Sequence, residues 1–404
     1  MNILIFNCGS SSQGFKVYQQ SASGEYQVIA FGKAKNIATQ TKAKSVIEWT
    51  IREKTGSKTI ELPAHRFAAQ EILALLKENG IQIDAIGHRF VHGGTLFDQT
   101  VEIDKVALEN LKKCLHFAPI HNPNSYSVIE VCLTALPGVP QYAVFDTSFH
   151  AQMPEESKRY ALPQQLADKY GFRKYGFHGL SYQYVSAKTA DLLGRPLSSL
   201  KLILCHLGTG GSSVCALKDG KSLDNSMGFS PLPGLVMSTR CGDIDAEIVL
   251  EMVRQGNSPD EVSRILNNQS GLIGMSRFSS NLAEIIEEAE RGNADCQTAY
   301  DVYAHRLKTY LGSYTWLLNG ADAIVFTDDI GLKSWKLRER VCSDAESLGV
   351  RLDKEANRNA PTDKSSRISL ADSKVEIWVV PTDEELVILQ EVAGLLLRKH
   401  NLNH

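Results

Sequence analysis

The sequence predicts a two-domain α/β protein whose halves vary one plan, and three observations carry the expectation. The first is length. At 404 residues the chain exceeds one ordinary core, so two or three domains of common size are expected. The second is alternation: short β-branched apolar runs bounded by Gly, Asp or His alternate with longer amphipathic stretches. The third is repetition, in both halves, of an apolar run, a loop rich in glycine and hydroxyls, and a second apolar run. The first copy runs from Asn2–Phe6 into Asn7-Cys8-Gly9-Ser10-Ser11-Ser12 and resumes at Gly14–Tyr18. The second runs from Leu202–Cys205 into His206-Leu207-Gly208-Thr209-Gly210-Gly211-Ser212-Ser213 and resumes at Ser213–Leu217. One such loop is an ordinary tight turn; two in corresponding places predict a pair of hairpins that grip phosphate. Glycines admit close approach of backbone N–H groups to an anion, and the hydroxyls add neutral donors.

In chain order, strands are expected at 2–6, 15–19, 27–31, 84–90, 141–146, 202–206, 213–217, 323–327 and 375–380. Helices are expected at 64–79, 105–114, 124–134, 181–193, 245–255, 260–267, 281–291 and 295–318. A last helix opens at Thr382-Asp383-Glu384-Glu385, where a threonine three residues before a glutamate predicts a capping box. The segment from Asn357 to Ser369 is the least regular and is expected to be a surface loop. Gln152-Met153-Pro154 breaks the pattern and predicts a boundary, giving a first domain of 1–150 plus 384–404 and a second of 151–383, with the terminal helix crossing back onto the first.

Composition excludes several classes. A hydrophobic content of 43% with 22% charged residues is that of a soluble globular protein, and a net charge of −3 offers no footprint for nucleic acid or an anionic membrane. Any anion must be held locally. The eight cysteines (Cys8, Cys114, Cys132, Cys205, Cys215, Cys241, Cys296, Cys342) are scattered without a C-x-x-C pair, which predicts neither a zinc site nor a disulfide framework. Reduced core thiols suit a cytoplasmic protein. The first apolar segment is short and lacks a basic leader, so it reads as a strand rather than a signal peptide or membrane span.

Several short polar constellations carry the chemistry. Gly87-His88-Arg89-Phe90-Val91-His92-Gly93-Gly94 sets an arginine at a strand end beside a glycine pair that admits close backbone approach. Ala118-Pro119-Ile120-His121-Asn122-Pro123 holds a histidine between prolines. Phe145-Asp146-Thr147-Ser148-Phe149-His150 ends a strand on a carboxylate, where α/β proteins often place ligand groups. Tyr175-Gly176-Phe177-His178-Gly179 and Met237-Ser238-Thr239-Arg240-Cys241-Gly242-Asp243 add a histidine and a second arginine. Each has an ordinary reading alone: surface ion pair, satisfied histidine, or turn-starting Asp. Together they lack a hydrolase triad or metal-cluster spacing, and they match what phosphoryl transfer needs, groups that position oxygens and neutralise charge.

With those residues in view, the chain resembles the acetate kinases, members of the acetate and sugar kinase, Hsp70 and actin superfamily. The motifs run almost end to end: N-x-G-S-S-S, G-H-R-x-V-H-G-G, A-P-x-H-N-P, F-D-T-x-F-H, Y-G-F-H-G, H-L-G-x-G, S-M-G-F-x-P-L, T-R-x-G-D-I-D and P-T-D-E-E-L. The resemblance implies a duplicated, actin-like (ribonuclease H-like) two-domain kinase fold with an interdomain cleft. It implies that Arg89 and Arg240 hold the carboxylate and the travelling phosphoryl group, that His178 steadies the transition state and that Asp146 orients the site. Val91, Ile120, Phe177 and Pro231 would line a pocket for the methyl group. Asn7, Ser10, Ser12, Lys16, His121, His206, Gly208, Thr209, Gly210, Asp328 and Gly331 would face the phosphoryl donor, and Asn7 and Glu384 would surround Mg²⁺ or Mn²⁺. Glu384 also has an ordinary role, complementing the dipole of the terminal helix. A homodimer acting on acetate and acetyl phosphate, without nucleic-acid or membrane partners, is implied as well.

The chain departs from ATP-using acetate kinases at three places. Gly14 replaces a lysine, Thr209 an asparagine, and Asp328-Asp329 two glycines of the segment against the adenosine. Lys16, two residues on and on the same strand face, stands in for the missing lysine. The two carboxylates are expected to fill room for a base and to repel the α-phosphate, a combination resembling the diphosphate-dependent acetate kinases. The alternatives are an ordinary ATP/ADP-dependent acetate or propionate kinase, with the carboxylates turned away, and a regulatory nucleotide-binding protein on the same fold. The latter would have no use for two substrate-side arginines. A sugar kinase would need an aspartate base for a neutral hydroxyl and a wide polar cleft.

Overall fold

The structure, a computed structural model, describes residues 1–38 and 44–402. It divides into two compact units, Met1–Ala151 with Asp383–His404, and Gln152–Thr382.

Among the described residues, unit 1 holds an eight-stranded sheet. Its strands are β1 (Asn2–Cys8), β2 (Gln13–Gln20), β3 (Tyr26–Lys35), β4 (Val46–Ile51), β5 (Lys54–Thr59), β6 (Ala85–Phe90), β7 (Val101–Glu102) and β8 (Gln141–Phe145), in the order β5-β4-β3-β2-β1-β6-β8-β7. β1 is covered on both faces, which is why it reads as a continuous apolar run. Leu4 and Phe6 join a core with Ile72 and Leu76 of the helix His65–Glu78 and Val128 of the helix Asn122–Ala135. Ile5 meets Ile388 and Val392 of the terminal helix Glu384–Leu402 around Gly87. β4 and β5 were not expected; β5, Lys-Thr-Gly-Ser-Lys-Thr, is an exposed edge strand with no apolar alternation to read.

The opening of the terminal helix corrects the capping box. Asp383, not Thr382, accepts from the N–H of Leu386 at 3.1 Å. The Thr382 hydroxyl is buried with no hydrogen-bond partner among the described residues, and Glu385 turns to Asn7 and Lys16.

Unit 2 holds a six-stranded sheet among its described residues: β9 (Lys201–Gly208), β10 (Gly211–Lys218), β11 (Lys221–Asn225), β12 (Ala323–Thr327), β13 (Ser366–Arg367) and β14 (Glu376–Val379), ordered β11-β10-β9-β12-β14-β13. The duplicated plan is explicit in the pairings. β1 pairs antiparallel with β2 and parallel with β6, which pairs parallel with β8. β9 pairs antiparallel with β10 and parallel with β12, which pairs parallel with β14. The helix Ala294–Leu317, capped by Asn293, buries Tyr303, Leu307 and Leu311 in the unit 2 core with Phe326 and Ile377.

Two short helices, Asp328–Lys333 and Trp335–Cys342, lie where none was expected. The expected loop at Asn357–Ser369 begins instead in the helix Lys354–Arg358, and Asn357 is fully buried. Asn357 accepts from Arg338 Nε at 2.7 Å, and Arg338 donates to the carbonyls of Gly331 and Leu332 at 2.7 and 2.8 Å. The eight cysteines are free thiols, seven of them buried. Among the described residues no helix is long and apolar enough to cross a membrane.

Candidate functional site

In unit 1 the candidate side chains stand at the carboxyl ends of three neighbouring strands, the edge where α/β sheets present ligand groups. Asn7 is next to last in β1, Arg89 is next to last in β6 and Asp146 follows β8. Arg89 binds Asp146 through Nη2 at 2.6 Å and through Nε at 3.2 Å, and its Nη1 reaches Asn7 Oδ1 at 3.0 Å and Glu384 Oε2 at 3.1 Å. Burial disfavours the Arg89 charge, but Asp146, Glu384 and Glu385 more than offset it and hold its pKa above the ordinary arginine value. The Asn7 amide donates to Glu384 Oε2 and Glu385 Oε1, both at 3.1 Å.

Lys16 lies 2.9 Å from Asp383 and 3.5 Å from Glu385. A Cβ on Gly14 would stand 3.5 Å from the same Glu385 carboxylate, so positions 14 and 16 do share a face. Burial opposes the Lys16 charge, and the two carboxylates reverse that and raise its pKa. Asp383 and Glu385 escaped the sequence reading because they resemble any acidic first turn. His65 also escaped it: it is 2% exposed, its ring against the backbone of Gly9 and Ser12, and burial pushes its pKa down. A histidine opening an amphipathic helix gives no sign that it supports a loop. Ser10 is exposed and Ser12 half-buried in the turn closed by Gly9 N–H to Ser12 O at 2.8 Å. His121 precedes the helix Asn122–Ala135, Ile120 is exposed and Val91 buried.

In unit 2 the side chains converge on the tight turn between Gly208 and Gly211, the pair that closes the β9–β10 hairpin. A Cβ on Gly211 would stand 3.3 Å from Arg240 Nη1 and 3.4 Å from His178 Nε2, so both side chains reach close over this backbone. His178 has φ +57 at the head of the helix Gly179–Leu193; its Nδ1 is 2.8 Å from Ser213 Oγ and its ring stacks on His206 at 4.0 Å. Arg240 donates to Pro231 O at 3.3 Å and has no carboxylate partner among the described residues, and burial lowers its pKa. Phe177 is buried, its carbonyl accepting from Asn225 at 3.2 Å.

Asp328 and Asp329 directly follow β12. The carboxylates fold onto the hairpin turn, Asp328 3.1 Å from His206 Nε2 and Asp329 2.8 Å from Thr209 N. Beside them a cavity of about 350 Å³ remains, lined by Thr209, Asp329, Leu282, Ile286, Ile330 and Trp335. Gly210 faces open space, and the buried Gly331 contributes the carbonyl held by Arg338.

No trio of His, Cys, Asp or Glu among the described residues is arranged to hold a metal. Around Asn7, however, four carboxylates (Asp146, Asp383, Glu384, Glu385) face two cations (Lys16, Arg89), which leaves an excess of two negative charges. An amide and carboxylate oxygens in that field suit a hard divalent cation that keeps waters and phosphate oxygens as its other ligands.

Residues 2–390 match the model of a family described as the Acetokinase family. The acetate kinase of Dictyoglomus thermophilum is 44% identical, over 99% of this chain and 100% of its own. The crystal structure of an acetate kinase from Entamoeba histolytica superposes with a TM-score of 0.87 at 42% identity, covering 98% of this chain and 99% of its own. That of a propionate kinase from Francisella tularensis gives 0.87 at 37% identity, covering 96% and 98%.

Proposed function

Because the chain belongs to the acetate kinase family, and shares its duplicated two-domain α/β fold and its carboxylate-directed phosphotransferase class, we propose that it interconverts acetate and acetyl phosphate. The observation that carries this reading is Arg240, a half-buried guanidinium with no carboxylate partner among the described residues, set with His178 over the Gly211 backbone. A desolvated cation in that position calls for an anion, and a transferring phosphoryl group is one.

Acetate is ionised at neutral pH, so no general base is required and catalysis rests on neutralising charge. A carboxylate oxygen attacks the donor's terminal phosphorus, the bond to the donor's bridging oxygen breaks, and that oxygen leaves with its electron pair. Arg89 and Arg240 neutralise the carboxylate and the travelling group, His178 donates to the phosphoryl oxygens, and Asp146 fixes the Arg89 fork through Nε and Nη2. Asn7 and Glu384 would hold Mg²⁺ or Mn²⁺, which supplies further neutralisation of donor phosphate oxygens. Val91, Ile120, Phe177 and Pro231 serve the acyl methyl, and the similarity to a propionate kinase makes a graded acceptance of longer acids part of this reading. A cytoplasmic homodimer belongs to it too.

ATP and ADP are the donor pair that the comparisons favour, and the open 350 Å³ cavity beside Thr209 is in the size range of small-molecule sites. Diphosphate and orthophosphate are the second reading, carried by Asp328 and Asp329, whose charges stand beside the turn that would cradle phosphate. Acetyl hydroxamate formation from acetate, with ATP or diphosphate and Mg²⁺, decides between them. Arg240→Ala is expected to lose at least about a hundredfold in turnover while remaining folded. Near-normal turnover of the folded variant removes Arg240 from the mechanism, and no acetyl phosphate with either donor ends the acetate kinase reading.

A further inference from the structure

The hairpin turn of unit 2 is already answered from within the chain. Thr209 donates its backbone N–H to Asp329 Oδ1 at 2.8 Å and its hydroxyl to Asp329 Oδ2 at 2.5 Å, so both polar donors of the residue close on one carboxylate. A neighbouring N–H and O–H that share two oxygens of one anion form the pattern by which such a loop holds a phosphate. The Asp328 carboxylate lies over the same turn, 2.1 Å from where a Cβ on Gly208 would be, and His206 meets it at 3.1 Å. Asp328 has φ +63, a backbone region that L residues rarely adopt, so the chain leaves β12 through a kink at the point where both carboxylates reach the hairpin.

We propose that Asp329 is an intramolecular competitor of the phosphoryl donor: it occupies the Thr209 donors, so a donor phosphate binds this turn only by displacing it. The proposal rests on the donor-side assignment of the turn made above. Its consequence is selectivity. A donor that draws its affinity from elsewhere, such as Arg240, His178 or the cavity wall, loses less than one that depends on Thr209. The competing explanation is a plain helix cap, since Asp329 Oδ1 also accepts from its own neighbour Ile330 N at 2.9 Å. A cap has no need of a hydroxyl 120 residues away in sequence.

Calorimetric titration of the full chain with orthophosphate and with diphosphate in Mg²⁺ separates the two. Asp329→Ala is expected to tighten both by about tenfold, and Asp329→Asn, which keeps the shape but not the charge, by less. The Thr209→Val change should then reverse sign with background: neutral or tightening in the wild type, where it frees the turn, and weakening beside Asp329→Ala, where the hydroxyl has become a phosphate ligand. Donor KM should fall with Asp329→Ala while acetate KM stays. If orthophosphate affinity is unchanged or weaker in Asp329→Ala, with only the melting temperature lowered, Asp329 is a cap and the proposal fails. Undetectable orthophosphate binding in every variant also overturns it. Because orthophosphate binding needs no turnover, failure of the acetate kinase reading registers separately, in the hydroxamate assay.

Discussion

At the scale of single residues the two arginines differ in kind. Arg89 is held by Asp146, Glu384 and Asn7, whereas Arg240 meets a carbonyl and a thioether and no carboxylate among the described residues. The first is positioned before any ligand arrives, and the second keeps unspent attraction for an anion. His88, next to Arg89, serves the fold. It is 1% exposed, its Nε2 lies 2.7 Å from Gln141 Oε1, and its Nδ1 has no partner among the described residues. Burial, partly countered by Gln141, pushes its pKa down to about 4. An unfolded histidine titrates near 6.5, so between those values the unfolded chain takes a proton that the folded one refuses. The stability His88 protects is therefore intact above the unfolded value and is lost as pH falls through this window, by about 3 kcal/mol in all. Urea unfolding at a series of pH values checks this: His88→Asn should flatten the slope between pH 6.5 and 4, leaving the part due to His65, which burial shifts the same way. An unaltered slope would clear His88.

Among elements, the terminal helix sets the geometry of unit 1, and one glycine admits it. A Cβ on Gly87 would lie 2.7 Å from Ile388, 2.9 Å from Ile5 and 3.0 Å from Val392, so β6 and the helix touch at a position with no space for a methyl group. Gly87→Ala is expected to destabilise by about 1–3 kcal/mol through overpacking. It should also reduce turnover, because the helix that it lifts carries Glu384 and Glu385. Melting and steady-state kinetics on one preparation test both effects, and a variant with wild-type stability would show that the helix accommodates the methyl group. Arg338 plays the corresponding part in unit 2. It is a buried cation satisfied by carbonyls and Asn357, and it fixes the end of the helix whose first residues are Asp328 and Asp329. Burial brings its pKa down to about 10, so it stays charged at neutral pH.

For the whole molecule, the repeated sheet plan leaves unit 1 dependent on the last segment of the chain. Val387, Ile388, Leu389 and Val392 of the terminal helix are buried, and at about 1.5–3 kcal/mol each their contribution rivals the net stability of a domain. Removing residues 383–404 should expose the sheet of unit 1 and abolish its hydrogen-exchange protection, while β9, β10 and β12 in unit 2 stay protected. Full protection of β1, β6 and β8 in the truncated chain would show that the helix is dispensable to the fold.

By itself the sequence determined the α/β class, the strands at the centre of each sheet, and the paired hairpins. Those follow from local signals: unbroken apolar runs such as Ile3–Phe6 and Leu202–Cys205, glycine-rich turns, and helical periodicity. Arg89, Asp146, His178 and Arg240 were singled out by their motifs and the family resemblance, and the structure brings Arg89 to Asp146 in unit 1 and Arg240 close to His178 in unit 2. What tertiary structure alone decided are pairings between distant segments. Lys16 with Asp383 and Glu385, Asp329 with Thr209, and Arg338 with Asn357 are separated by 19 to 369 residues, and a surface-seeming lysine, acidic pair or asparagine does not announce its partner. Edge strands such as β5 were missed because exposed polar strands have no periodic signal, and the cap went to Asp383 because the choice between adjacent hydroxyl and carboxylate depends on how the chain enters the helix. Burial and long-range hydrogen bonding belong to the folded chain, and no short window of sequence contains them.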